Sequence, residues 1–402
     1  MSPARNGSWK EMNGEQGTGR NTQRHHVNEE QEYSAPPVSS NGGCGLISSF
    51  GAFQFYYEQQ LLPNYSSSTI SWIGTISIFL GIGGGLFSGP LFDKGYDRIL
   101  VFVGGVLVVF GYMMTSLSDQ YYQVFLAQGV CVGLGSGCLF TPAVSTAAVS
   151  FTSKRSFAMA GATAGVSFGG VVWPIVFRRL QPRIGFPWTT RVMAFIALFC
   201  LIFSRCCLYY KTPKREGKAR ALLEVKAWKE PAYAIYCVTL LFMYTGYWPP
   251  YFYTVTFASE ALGTSVDTAF YMLVIMSATN TLARFAPTFF LNQKCGAIEL
   301  LTIGTAGGTL LVFSWPAVTT AAGLIVWAIV WGFCSGIMSA LFTAVIPDLS
   351  PDLGVVGTRI GMMMGCIAFG NLIGSPIAGT IIATQGNNYN DVGGYLGMQM
   401  WS

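Results

Sequence analysis

Apolar residues along this chain gather into long runs parted by short polar breaks. Runs cover roughly 44–57, 70–92, 99–117, 122–150, 157–177 and 192–210. After a charged interval they resume at roughly 231–256, 268–291, 297–314, 320–346 and 360–384. A helix needs about 20 apolar residues to cross the hydrocarbon core of a bilayer. The pattern therefore predicts an all-α integral membrane protein with about eleven spans. The first run gives only ~14 residues before Glu58 and predicts a short first helix. Gln54 and Glu58 are four apart and share one face of it. Glu58 closes that helix, which predicts an interfacial position for it rather than a proton site.

The polar intervals divide the chain. Residues 1–40 cannot bury a core and are expected to be a disordered cytosolic tail. A transmembrane half, 41–210, is joined by the linker 211–230 to a second half, 231–384, and a polar tail, 385–402, follows. No apolar stretch of the signal-peptide kind lies near Met1. Loops 93–98, 152–156, 211–230, 292–296 and 347–359 hold thirteen Lys and Arg residues, seven of them in the linker. The opposite loops hold four, namely Arg178, Arg179, Arg183 and Arg191. This bias places the first tail and the linker in the cytosol. The turn 58–69 then faces outside, where Asn64-Tyr65-Ser66 is an N-glycosylation acceptor.

Composition agrees. Apolar residues make up 51% of the chain and charged residues 10%, and Gly occurs 48 times in 402 residues. Soluble domains carry about 25% charged residues. Small residues let membrane helices approach closely. Nothing resembles the basic, aromatic-interleaved stretch of a nucleic-acid binder. The ten cysteines lie mostly inside apolar runs, as small hydrophobes do. Cys206-Cys207, near a span end, is a candidate for acylation against plain packing. His25 and His26 stand alone in the polar tail, so no metal site and no enzyme centre is expected.

Two Gly-rich spans occupy equivalent places in the two halves. Gly161, Gly165, Gly169, Gly170 and Pro174 mark one, and Gly361, Gly365, Gly370, Gly374 and Pro376 the other. Matching broken helices suggest a pseudo-two-fold transporter with its site between the halves. Charge inside a span costs about 2.5–3.5 kcal/mol on insertion scales and marks candidate function. Arg284 lies within such a run, and Asn280 one turn earlier shares its face. A guanidinium can hold a carboxylate bidentately; a structural pair is the competing reading. Tyr244, Tyr247 and Trp248 precede Pro249-Pro250, which must break or kink the helix. These aromatics either line a cavity or form an interface belt. Asn371 is a polar group among glycines and a further candidate for the substrate path. Arg205, near a span end, is expected to snorkel.

The turn Gly89-Pro90-Leu91-Phe92-Asp93-Lys94-Gly95-Tyr96-Asp97-Arg98 resembles the loop between helices two and three of the major facilitator superfamily. Its Gly89 and Gly95 are expected to permit close approach and positive φ. By the resemblance, Asp93, Lys94 and Arg98 belong to a gating loop whose charge pairs hold one conformational state. Tyr56-Tyr57-Glu58, Leu61-Leu62-Pro63-Asn64-Tyr65-Ser66, Ile70-Ser71-Trp72-Ile73-Gly74, Ala127-Gln128-Gly129 and Pro182-Arg183-Ile184-Gly185-Phe186 look like the fungal branch of the monocarboxylate porter family. That resemblance implies a twelve-helix fold, alternating access, no prosthetic group and a plasma-membrane location. The chain departs from it in a short first helix, in the lack of a twelfth span, and in Gln293, where the repeated charged loop has Asp. Animal relatives are similar to an Asp-x3-Arg arrangement in this helix, where Asn280 stands for the Asp, and place a Lys in the first helix that has no counterpart here.

The function so predicted is secondary transport of a small organic solute, monocarboxylate-like or a larger acidic metabolite, with proton coupling open. Import of a monocarboxylate and export of a secondary metabolite both fit. The alternative from another class is a non-transporting remnant or a transporter-derived sensor.

Overall fold

The computed structural model describes residue 45 and residues 49–150, 155–209, 224–287, 296–346, 348–350 and 356–384. The tail 1–40, most of the linker, the segment 385–402 and the loop with Gln293 lie outside the described residues, as do the side chains of Asp93, Arg205, Cys206 and Cys207.

Among the described residues every regular element is helical. Helix α1, Phe50–Tyr56, runs straight into a π-helical turn, Tyr57–Leu61. Helices α2 (Ser67–Gly83) and α3 (Gly85–Asp93) form the next run, and α4 spans Asp97–Thr115. Then come α5 (Tyr121–Val124), a π-helical stretch Phe125–Cys131, and α6 (Val132–Ser150). Helix α7, Arg155–Tyr209, carries two of the expected spans, parted at Gly185, whose φ of 77° breaks the helical path. In the second half, α8 (Pro231–Tyr247) and α9 (Pro249–Thr256) are interrupted at Trp248, where Pro249-Pro250 removes two backbone donors. A π-helical turn, Phe257–Ala261, follows, then α10 (Val266–Ala283), α11 (Ala297–Ser314), α12 (Ala321–Leu341) and α13 (Val356–Thr384).

Among the described residues, seven helical stretches are long and apolar enough to cross a membrane, one of them being Thr163–Phe203 with its two expected spans. The other expected spans are helical too, but α8 and α9 are broken by proline, and α10 mixes Asp267, Ser277, Thr279, Asn280 and Thr281 into its apolar positions. Large apolar side chains cover the outside: Phe102, Phe199, Phe242, Leu282 and Leu310 are each about 70% exposed. Such a surface suits lipid and not water.

The halves repeat one design. A π-helical turn ends α1 and another ends α9. Shortly after each, a serine caps the next helix: Ser66 Oγ accepts from Thr69 N–H, and Ser265 Oγ accepts from Thr268 N–H, both at 3.2 Å. Between the halves, α2 packs on α13, α7 on α10, and α1 on α9. At one end of the bundle, hereafter the Glu58 end, hydrogen bonds join them. Arg178 pairs with Asp267 at 2.7 Å and Arg179 donates to Tyr271 Oη at 3.1 Å. Ser68 Oγ donates to the Pro376 carbonyl at 2.8 Å. On the same side, Arg191 donates to Ser116 Oγ at 3.1 Å and lies over the Trp188 ring. Three of the four arginines that ran against the charge bias thus have structural partners here. All ten residues from Pro249 to Ala258 are buried, so this end is packed shut.

The opposite end is held differently. Arg359 is fully buried at the start of α13, with Nη2 2.7 Å from Glu230 Oε1 and Nε 3.0 Å from Glu224 Oε2. Its Nη1 also donates to the Leu349 carbonyl, and its guanidinium lies over the Tyr233 ring. This clamp ties the end of the linker to α13. In the turn between α3 and α4, Gly95 takes a φ of 84°, as expected. Gly89 differs from expectation: it sits inside α3, and nothing lies within 4 Å of where its Cβ would be. Lys94 and Arg98 are exposed.

Candidate functional site

A cavity of about 110 Å³ lies between the halves. The first half supplies a mostly apolar wall, with Ile78, Ile82, Phe140 and Val166, and the small groups Gly81, Ser136, Thr163 and Ser167. The second half supplies the aromatic and charged wall: Tyr244, Tyr247, Trp248 and Tyr251 from α8 and α9, Ser277, Asn280 and Arg284 from α10, and Phe342 beyond α12. The proline break explains the aromatic wall. It interrupts α8 at Trp248, so the residues on both sides of the break reach one cavity. Tyr244 and Tyr247 stand 5.2 Å apart by ring centroids, and Tyr247 stacks on Tyr251 at 5.7 Å.

Asn280 is the hub of the polar groups. It is 2% exposed, and its amide makes four hydrogen bonds. Oδ1 accepts from Ser167 Oγ at 2.6 Å and from Arg284 Nε at 3.1 Å. Nδ2 donates to Ser335 Oγ at 2.9 Å and to Tyr247 Oη at 3.2 Å. A buried amide wants this full set, because each unmade bond carries the whole desolvation penalty. The Ser167 contact also crosses from one half to the other.

Arg284 uses two of its five N–H groups on neutral partners, Asn280 Oδ1 and the Thr163 carbonyl at 3.1 Å. Among the described residues no carboxylate pairs with it. Its positive charge has no counter-ion among the described residues, and it faces the cavity while only 8% exposed. Two further polar atoms of the wall, Trp248 Nε1 and Ser277 Oγ, are buried without a hydrogen-bond partner. The cavity thus offers a cation, spare donors and aromatic faces to a bound molecule. Such a set is chemically complementary to a flat anion with acceptor oxygens.

The structure brings Arg284, Asn280, Tyr244 and Trp248 to this one cavity. Asn371 is not among its lining residues; it is 1% exposed, and neither amide atom has a partner. It follows Met364 and Ile367, which do line the cavity, on the same face of α13, but one turn nearer the shut Glu58 end. Ser167, Ser277, Ser335 and Tyr251 are site residues that sequence reasoning missed. Hydroxyls are ordinary in membrane helices, and no spacing marked these. Among the described residues no group of His, Cys, Asp and Glu is placed to hold a metal ion. Asn64 is exposed in the turn before α2.

Comparison with known proteins places this architecture. Residues 42–313 match the Major Facilitator Superfamily. The MFS-type transporter dbaD of Emericella nidulans is 36% identical over 84% of this chain and 76% of its own length. The aspyridones efflux protein apdF of the same organism is 34% identical over 89% of this chain and 71% of its own. The agnestins efflux protein of Paecilomyces divaricatus is 31% identical, covering 89% and 80% respectively. With its paired helical halves, lipid-facing surface and central cavity, the chain belongs to the major facilitator superfamily and is a multi-pass membrane transporter of small organic solutes.

Proposed function

We propose that this transporter exports an acidic, planar aromatic secondary metabolite by alternating access. One observation carries the reading: the unpaired Arg284 guanidinium in a cavity walled by tyrosines and tryptophan. An Asp at position 280 would neutralise that charge, as the motif of animal monocarboxylate porters has it. Asn280 leaves the charge to the substrate and removes a carboxylate that could carry a proton beside it. The names of the relatives, which include efflux proteins for aspyridones and agnestins, support export over monocarboxylate import. Placement within the fungal branch of the monocarboxylate porter family rests on the motifs of the first helices.

In this reading the Glu58 end faces outside and the Arg359 end faces the cytosol, in the plasma membrane. The structure is then the state closed to the outside, with the cavity ready for a cytosolic solute. Asn64 on the outer turn accepts a glycan, and Asn64→Gln removes the corresponding mobility shift; a wild-type protein without glycan when made in a glycosylating host argues against this sidedness. Substrate class is tested by expressing the chain in a host loaded with phenolic and enolic aromatic acids and measuring the extracellular fraction. Export of the acids, and not of their methyl esters, supports the reading. Equal export of both removes Arg284 from its role.

A further inference from the structure

The π-helical turns that end α1 and α9 each carry one carboxylate, Glu58 and Glu260. π-helical turns are rare and concentrate at functional sites. The two carboxylates hold each other's halves. Glu58 Oε2 accepts from Thr256 Oγ1 of the second half at 3.1 Å, while its Oε1 accepts from Gln54 Nε2 of its own at 3.0 Å. Glu260 Oε1 accepts from Gln59 Nε2 of the first half at 2.7 Å. The other Glu260 oxygen, Oε2, is buried with no partner. A buried carboxylate oxygen without a donor favours the neutral acid.

Among the described residues no cation pairs with either carboxylate: Gln54, Ser67 and Thr256 bond Glu58, and Gln59 bonds Glu260. Tyr56 ends α1 and Tyr57 opens the first turn. The start of α2 brings Ser66 and Ser67. On α9, the Tyr251 hydroxyl is engaged with Ser335 and the Tyr253 hydroxyl donates to the Ser375 carbonyl, while on α10 Asp267 pairs with Arg178 and Tyr271 accepts from Arg179. The nearby cations are already engaged: Arg178 with Asp267 and Arg179 with Tyr271. Desolvation and the neighbouring Glu58 push the Glu260 carboxyl up to about 8, and burial raises Glu58 as well. Both groups lie beyond the apolar runs 44–57 and 231–256.

We propose that Glu58 and Glu260 form a proton-binding site shared by the two halves, filled when the Glu58 end is shut and emptied as it opens. The site rests on the alternating-access reading and not on the identity of the substrate. Shutting buries Glu260 Oε2 without a donor, with Glu58 as a neighbour, so the neutral acid is favoured first by desolvation and then by the neighbouring carboxylate. Opening separates them, water reaches Glu260 Oε2, and the proton leaves as the carboxyl becomes an ordinary carboxylate. The sign follows from linkage. The shut state binds its proton more tightly than the open state, so acid favours the shut state. Between the open-state and shut-state midpoints, each unit rise in pH favours opening by up to about tenfold.

The test needs no substrate, so its failure leaves the export reading untouched. The full chain is reconstituted in lipid nanodiscs. The protonated carboxyl band is followed by infrared difference spectroscopy against pH, and the opening of the Glu58 end by distances between spin labels on the turns after α1 and α9. A carboxyl titrating near pH 8 is expected in the wild type and absent in Glu260→Gln. Glu58→Gln removes the neighbouring charge and lowers that midpoint. Gln59→Met removes the donor that favours the charged form, and so raises it. Label distances lengthen with pH in the wild type and stay short in Glu260→Gln, whose amide mimics the protonated acid. A carboxyl band unchanged by these substitutions, or label distances flat with pH in the wild type, overturns the proposal.

Discussion

Gly379 is the point where shutting the Glu58 end can be blocked without touching the cavity. A Cβ at this position of α13 would lie 2.6 Å from Tyr253 Oη of its own half, and 2.7 Å from Ser68 Cα and 2.8 Å from Ser68 N, at the start of α2 in the other half. Ordinary contacts between carbon atoms run about 3.5–4.0 Å, so Gly379→Ala forces the two helices roughly 1 Å apart. The strain against Ser68 meets backbone, which cannot swing aside as the Tyr253 side chain can. It also stretches the Ser68 bond to the Pro376 carbonyl, now 2.8 Å. Overpacking of this kind costs about 1–3 kcal/mol. The part of the cost that comes from Ser68 falls only on the state in which the halves meet here. The helix propensity gained by alanine is present in both states and cancels. The equilibrium should shift toward the open state by about 5–150-fold. Spin-label distances between the turns after α1 and α9 read this shift directly. Gly365→Ala on the same helix, with nothing within 4 Å of its Cβ, is the control and should leave the distances unchanged. A folded Gly379→Ala protein with wild-type distances refutes the account of how this end closes.

Two other predictions concern charge. Asn280→Asp gives Arg284 a carboxylate partner and removes the donors to Tyr247 and Ser335, so binding of an acidic solute, followed by isothermal titration, should fall at least about tenfold, as expected for loss of a charge-assisted bond. Arg359→Ala leaves Glu224 and Glu230 unpaired but partly hydrated, and should lower stability in detergent by about 1–3 kcal/mol, read from the thermal midpoint. The same clamp has a pH signature: the Arg359 guanidinium holds the Glu230 carboxyl below its ordinary value, so the stabilisation is present above the ordinary carboxylate range and is lost as pH falls through the lowered value.

The helical architecture was legible because apolar runs and loop charges report directly on a bilayer. Arg284 and Asn280 stood out for the same reason, since a guanidinium in an apolar run needs an explanation. The proline pair also spoke plainly, and the structure puts aromatics from both sides of the break on one wall. Asn371 shows where this reasoning stops. Its face on α13 was right for the cavity, but depth along the helix depends on which end is shut, and that is a property of packing between halves. Gly89 shows a second limit, since a glycine in a turn motif does not reveal whether any neighbour comes close. Glu260 was hidden for a different reason. After the apolar run it looked like a loop residue, and only the π-helical turn aims it at the other half. The external arginines ran against the charge bias until the structure supplied Asp267, Tyr271 and Ser116 as partners.

The account turns on Arg284 as the group that holds a substrate's negative charge. The most direct measurement is flux of a planar aromatic acid in proteoliposomes containing the wild type, Arg284→Lys or Arg284→Gln. A charge-assisted hydrogen bond contributes about 1.5–3 kcal/mol. Apparent affinity should therefore fall about 10–150-fold in Arg284→Gln, and less in Arg284→Lys, which keeps the charge but loses the planar fork. Transport of the acid by Arg284→Gln with wild-type affinity would contradict the account.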